Sequence, residues 1–312
     1  MENSLRKFVA IVNEICREEE IIVESFSYDW IFKLSKNGKY NYIYGYQFDL
    51  NAGAVQSICC DKSAASEVMT SFEIPNVEHF FFMSPTNQKY IGKDGNWNAL
   101  LRKLDKYGRL VCKPNEGSGG NQVFQVGNQY ELENAVYTIF QTSRSMAVCP
   151  YYEITNEYRS IVLGGEVKVI YSKQRPFIVG DGKRKVKSLI AEYLTEAEMA
   201  ADKIEWAAED MEKVLDKGEH LVLNWKHNLG RGSKAALVED ESIRSGIVSI
   251  VNMVIEKMNI KFASVDIAQC RDGYRVLEIN SGVMMDHFLQ QSEDTYRITK
   301  EIYREAILRM FD

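Results

Sequence analysis

Along this chain the spacing of apolar residues switches between the helical and the strand period, and the switches delimit its elements. Leu5, Phe8, Val9, Val12 and Ile15 recur at helical spacing, which predicts a helix over 5–19. Residues 21–34 and 40–50 are rich in aromatic and β-branched side chains and read as strands, with Lys36-Asn37-Gly38 as a hairpin signal between them. Asp61 stands as a candidate N-cap for a helix over 61–72. Short strands are expected at 110–113 and 123–126 around a glycine-rich loop, then a helix over 131–140. Strands follow at 146–149, at 157–163 and, after the Gly164-Gly165 turn signal, at 166–171. Helical spacing returns over 195–215, which is highly charged, over 243–258, which is more apolar, and over 295–310. Strands and helices are mixed, with hairpins rather than regular βαβ alternation, so the fold class is α+β.

The most informative alternation lies near the C-terminus. Phe262-Ala-Ser-Val-Asp-Ile-Ala-Gln-Cys270 and Tyr274-Arg-Val-Leu-Glu-Ile-Asn280 flank Arg271-Asp272-Gly273. A three-residue hairpin loop ending in glycine is a favoured connection. That register sets Asp266 across from Glu278 and Ser264 across from Asn280, while Val265, Ile267, Leu277 and Ile279 form an apolar face. Like charges directly opposite each other destabilise a sheet. A hard cation such as Mg²⁺, which takes one or two carboxylates plus phosphate oxygens and water, would remove that cost. The plain alternative is the solvated outer face of an ordinary hairpin.

Three loops carry further candidate chemistry. In Leu110-Val-Cys-Lys113-Pro114-Asn-Glu-Gly117-Ser118-Gly119-Gly120-Asn121 a strand ends on a lysine and enters small residues whose backbone N–H groups can wrap an anion. It is not a Walker A loop. The stretch from Tyr171 to Arg184 combines Lys173, Arg175, Lys183 and Arg184 with a tight Gly180-Asp181-Gly182 turn. His227-Asn228-Leu229-Gly230-Arg231-Gly232-Ser233-Lys234 is polar and glycine-rich and is expected to close over a reacting phosphate. Each loop alone also fits a solvated, flexible connection.

Composition narrows the class without choosing a function. At 312 residues, 45% hydrophobic and 26% charged, the chain suits two or three packed units with a sizeable core. Its formal net charge of −6 argues against non-specific nucleic-acid binding. The N-terminal stretch has no continuous apolar h-region, and no apolar run approaches a membrane span, so a cytoplasmic protein without membrane contact is expected. The six cysteines form no C-x-x-C pair, which disfavours zinc and redox motifs, and Cys112 and Cys149 read as small buried hydrophobes. His79, His220, His227 and His287 show no metal-ligand spacing and read as structural or exposed. Neither a G-x-S-x-G elbow nor a G-x-G-x-x-G fingerprint is present.

Taken in order, the motifs resemble the ATP-grasp superfamily, most nearly the ATP-grasp module of cyanophycin synthetase, glutathione synthetase and the ribosomal-protein glutamate ligases. The residues that carry the resemblance are Asp61-Lys62, Lys113-Pro114 with its glycine loop, Glu157-Tyr158-Arg159, Val179-Gly180-Asp181-Gly182, Asn228-Leu229, and Asp266 with Glu278-Ile279-Asn280. The resemblance covers roughly residues 45–290. It implies two α+β subdomains clasping ATP, with boundaries at 1–60 for a short N-terminal region, 61–150 for the subdomain with the glycine loop and 151–312 for the subdomain with the magnesium site. It implies an ATP-dependent carboxylate–amine ligase with ATP as cosubstrate and one or two Mg²⁺ ions.

By the same resemblance, Lys62, Lys113, Glu116, Gly117, Ser118, Gly119, Gly120, Tyr151, Glu157 and Lys173 would bind the nucleotide. Arg159, Asn228 and Arg231 would act near the transferred phosphate. Asp266, Glu278 and Asn280 would hold the metal. Partners would be small amino-acid or peptide substrates, and a homo-oligomer stays open. Pro150 stands where the family often has an acidic residue beside the adenine. The second ligase domain of cyanophycin synthetase has no counterpart, which argues against cyanophycin synthesis. Two other readings stand beside the ligase: a kinase-like enzyme with a non-amine acceptor, and a nucleotide-binding module without turnover.

Overall fold

The computed structural model describes residues 6–117, 119–196 and 208–312. Internal contacts divide the chain into two units, Met1–Ile170 with Val238–Asp312, and Tyr171–Leu237.

The first unit begins with α1 (Lys7–Glu18), whose Phe8, Val12 and Ile15 face inward at the predicted spacing. An antiparallel sheet follows in the order β1 (Ile22–Phe26), β2 (Ile31–Lys36), β3 (Lys39–Tyr44), β4 (Gln47–Phe48). The apolar run 21–34 is therefore two strands rather than one. Ser27, Tyr28 and Asp29 turn the chain in the left-handed region, with φ of 52°, 54° and 62°. The Arg6 guanidinium holds that turn by donating to the Asp29 carbonyl at 2.8 Å. No glycine or proline marks the place, so the turn carries no punctuation in the sequence. Phe32, Leu34, Ile43 and Phe48 fill the inner face, where Phe8 packs edge-on to Phe32, Phe48 and Tyr303.

Two helices that abut at Asp61 come next, α2 (Gly53–Cys60) and α3 (Lys62–Ser71). A second antiparallel sheet has the spatial order β5, β8, β6, β7, formed by β5 (Phe80–Met83), β6 (Leu110–Pro114), β7 (Phe124–Val126) and β8 (Ser145–Pro150). Helices α4 (Trp97–Tyr107) and α5 (Gln129–Phe140) cover it, each started by an asparagine whose side chain accepts from the helix's first turn. Leu100, Leu104, Leu110, Leu132, Ile139 and Val148 form the core between them.

Strand β9 (Asn156–Leu163) then turns through Gly164-Gly165 into β10 (Glu166–Gln174). The second half of β10 belongs to the second unit, where Tyr171–Gln174 pair with β13 (Lys234–Leu237). That unit also holds β11 (Phe177–Val179) paired with β12 (His220–Val222), and α6 (Val186–Glu196), around Ile178, Leu189, Ile190, Leu215 and Leu223. The helix expected over 195–215 falls largely on 197–207, outside the described residues. On either side, α6 ends at Glu196, Ala208–Glu212 is a 3-10 turn, and Val214 bridges to Lys185 in extended form.

Back in the first unit, α7 (Glu241–Met258) lies along the pair β14 (Phe262–Cys270) and β15 (Gly273–Asn280). Short α8 (Asp286–Leu289) and α9 (Glu293–Arg309) follow, the latter opened by a capping box at Ser292 and Thr295. Ile247, Val251 and Val254 of α7 pack on Val265, Ile267, Val276 and Ile279. Side chains of this kind stabilise by about 1.5–3 kcal/mol each when fully buried.

The hairpin turn is tighter than the sequence suggests. Cys270 pairs with Gly273, which leaves a two-residue turn and shifts the register by one. A bulge then restores it: Ile267 pairs with Val276 and Asp266 with Glu278, so Leu277 is skipped. Val276 thereby takes the core position expected of Leu277, and Ser264 still faces Asn280.

Candidate functional site

Lys62 is the first residue of α3, placed there by its neighbour: the Asp61 carboxylate accepts from Ala64 N at 2.8 Å. Its other anchor is Asn115, two residues past Lys113 and fully buried. The Asn115 side-chain oxygen accepts from Ser63 N at 3.1 Å and Ser63 Oγ at 2.9 Å. Its carbonyl accepts from Lys62 N at 3.2 Å and Lys62 Nζ at 3.4 Å. The same ammonium donates to the Gly117 carbonyl and lies 4.0 Å from Glu278 Oε2. The start of α3, the base of the glycine loop and the end of β15 thus meet at one lysine.

Lys113, next to the last residue of β6, lies opposite Ala147 and is buried. Burial lowers the pKa of Lys62, with Glu278 opposing the shift and Lys113 adding to it. Two shielded ammonium groups within electrostatic reach of each other form a place that an anion would relieve. Beside them Gly119 and Gly120 take φ of 70° and 68°, the left-handed region open to glycine. At Gly117 a Cβ would stand 2.9 Å from Pro114 Cβ. Glu116 is exposed, and Ser118 lies outside the described residues.

The hairpin supplies the acidic half of the site. Asp266 is buried, and Arg159 from β9, its register partner, donates to both carboxylate oxygens at 2.7 Å. Glu278 keeps about a quarter of its side chain in solvent and accepts from Asn280 Nδ2 at 3.3 Å. The like-charge cost of this register is thus met by protein cations, Arg159 for Asp266 and Lys62 for Glu278. The donor set still suits a hard cation: two carboxylates and an amide on adjacent strands, beside two lysines that favour phosphate. Among the described residues, no cluster of three or more His, Cys, Asp or Glu side chains could hold a metal ion. Such an ion would draw its remaining ligands from phosphate and water.

Other expected positions belong to the same unit. Glu157 is buried on β9 opposite Ala268. Tyr151 donates its N–H to the Arg109 carbonyl at 3.0 Å, and the Arg109 guanidinium stands 4.3 Å from its ring centroid. Lys173, Asn228 and Arg231 belong to the second unit. There Lys173 is buried, with its carbonyl 2.8 Å from His227 Nδ1. Asn228 caps the short 3-10 turn Leu229–Arg231 through Gly230 N at 2.8 Å, and Gly232 leaves that turn at φ 87°.

Sequence reasoning missed three features. Asn115 carried no signal apart from its place after Lys113-Pro114. The fork between Arg159 and Asp266 depends on strands more than a hundred residues apart. His79 is fully enclosed, and burial, then Lys113 and Lys62, hold its pKa well below the usual histidine value, so the ring stays neutral beside the two lysines. No helix among the described residues is long and apolar enough to cross a membrane.

This architecture is the ATP-grasp fold, which it shares with solved structures of ligases. The bifunctional glutathione synthetase from Pasteurella multocida matches with a TM-score of 0.55 at 15% identity, over 95% of this chain and 43% of its own. D-alanine–D-alanine ligase from Bacillus anthracis matches with a TM-score of 0.54 at 17% identity, over 82% of this chain and 69% of its own. A curated relative, the glutathione biosynthesis bifunctional protein GshAB of Lactiplantibacillus plantarum, is 29% identical over 166 residues. The match takes in 51% of this chain and 20% of that protein, so the chain spans only part of its relatives' length. No family model matches the chain.

Proposed function

We propose that this protein is an ATP-dependent carboxylate–amine ligase acting on an amino-acid or peptide acid. ATP would phosphorylate the carboxylate, and an amine would displace phosphate to give an amide, with ADP and phosphate released. The observation that carries this reading is the meeting at Lys62 of the glycine-loop base, the Lys113 strand and the Glu278 strand. The neighbours' names, a glutathione synthetase and a D-alanine–D-alanine ligase, support it.

In this reading Lys62 and Lys113 bind phosphate oxygens, and the backbone of Gly117, Gly119 and Gly120 wraps them. Asn115 fixes the Lys62 helix to the loop so that both approach the anion together. Asp266, Glu278 and Asn280 would hold magnesium, which neutralises phosphate charge when bound. Arg159 keeps the Asp266 carboxylate oriented. The ribose role of Glu157, the adenine role of Tyr151 and the roles given to Lys173, Asn228 and Arg231 remain part of the proposal. No protein nucleophile is needed, because the acid is activated by transfer of a phosphoryl group and the rest is positioning and charge.

The test uses ADP release with pools of amino acids and short peptides, followed by the same reaction with an acid labelled with heavy oxygen in its carboxylate. The ligase reading expects amine-dependent ADP release and one labelled oxygen in the released phosphate. ADP release with no amine requirement would indicate a kinase-like enzyme, and an amide formed without label transfer would rule out acyl-phosphate activation.

A further inference from the structure

The outer face of the first sheet breaks the rule that strands facing water alternate with polar residues. Its register aligns three rows across β1, β2 and β3. The outer rows are Ile22, Ser35, Tyr40 and Phe26, Ile31, Tyr44. The middle row is Glu24, Lys33, Tyr42. Ile22, Phe26 and the three tyrosines each expose about half of their surface or more. The inner face of the same strands holds the buried Phe32, Leu34 and Ile43, so these apolar residues are not a misplaced core. Trp30 extends the patch, edge-on to Tyr44 at 6.2 Å between centroids. The left-handed turn pinned by Arg6 leaves Tyr28 fully exposed at the rim.

Two properties indicate what covers this face. The first is area. Aromatic side chains bury about 150–250 Å² each, so the exposed portions here present on the order of 800 Å². That is the share one partner contributes to an interface of standard size, about 800 Å², and it exceeds the few hundred Å² of an ordinary surface patch. The second is charge. The only ionised groups in the three rows are Glu24 and Lys33, which pair with each other at 2.6 Å in the central row. The face is neutral, with its two opposite charges side by side near the middle and apolar groups around them. A two-fold axis through that point would set Glu24 of one copy against Lys33 of the other, and the reverse. An acidic or basic partner would find no net charge to pair with.

We propose that this sheet face is an isologous dimer interface, and that its occupant is the same face of a second copy of this chain. The inference is independent of the catalytic reading. It is tested by sedimentation velocity on the full chain, with folding checked by circular dichroism. Wild type should sediment as a dimer at about 10 µM. Tyr42→Glu should give a monomer with an unchanged spectrum. Lys33→Glu and Glu24→Lys should each weaken the dimer by about tenfold or more, because like charges then meet at the axis. The double variant Glu24→Lys with Lys33→Glu should restore it. A wild type that stays monomeric to about 100 µM, a dimer that all four variants leave intact, or a double variant as weak as the singles would overturn the proposal.

Discussion

Two sheet faces in the first unit depart from the simple inside–outside rule, in opposite senses. On β14 and β15, Asp266 and Glu278 are set opposite each other, with Asp266 buried and Glu278 only partly in solvent. On β1 to β3, the outward rows carry Ile22, Phe26, Tyr40, Tyr42 and Tyr44 in the open. Buried charge and exposed aromatic surface are the informative exceptions in a globular protein, since exposed apolar atoms taken singly are common. The two exceptions also differ in what they do for the fold. Asp266 is tied into its surroundings by the Arg159 fork, so its chemistry is part of the structure. The aromatic rows stand about half in solvent, so their chemistry is turned outward.

That contrast sets the expected costs of substitution. Asp266→Ala leaves Arg159 without its carboxylate in a mostly buried place. Breaking a buried pair from one side costs about 3–5 kcal/mol, and the low end applies because Arg159 keeps some solvent contact. Urea unfolding should show it as a large drop in midpoint, and a loss below about 1 kcal/mol would mean that the fork is not structural.

A smaller effect, and one that depends on pH, comes from His79. Its native pKa lies below the ordinary 6.5, so the unfolded chain takes up the proton first as pH falls. Stability from this group is complete above pH 6.5 and declines below it, by at most about 1.4 kcal/mol per pH unit, until the native value is reached. His79→Gln should flatten that part of the profile when unfolding is measured between pH 7.5 and 5.5. An unchanged slope would place the acid sensitivity elsewhere.

Least of all should come from the exposed rows. Tyr42→Ser should alter the stability of the isolated chain by no more than about 0.5 kcal/mol at low protein concentration. A loss of 2 kcal/mol there would mean that the face is part of the fold and not a surface.

The same contrast explains what was legible in the sequence. The pairing of Asp266 with Glu278 was readable because a strict period of two on both strands leaves few registers that bury Val265 and Ile279. The route to that register was not readable. Arg271-Asp272-Gly273 fits a three-residue loop as well as a two-residue one, and the bulge at Leu277 that compensates has no local mark. The turn at Ser27–Asp29 was missed because residues other than glycine occupy the left-handed region and Arg6, distant in sequence, holds them there. The start of α3 was legible through the Asp61 cap, a signal confined to four residues. Asn115 and Arg159 were beyond such reasoning, since their partners come from other elements.

The polar face of the β14–β15 hairpin is proposed to serve a metal-bound nucleotide. Calorimetric titration of ATP into wild type and Glu278→Gln, each with and without magnesium, tests it without knowledge of the acid or the amine. Wild type should bind ATP more tightly with magnesium. Glu278→Gln should keep its fold and lose at least about tenfold of that magnesium-dependent gain, as expected when an anionic ligand is removed. The same gain in both proteins would contradict the assignment of this face.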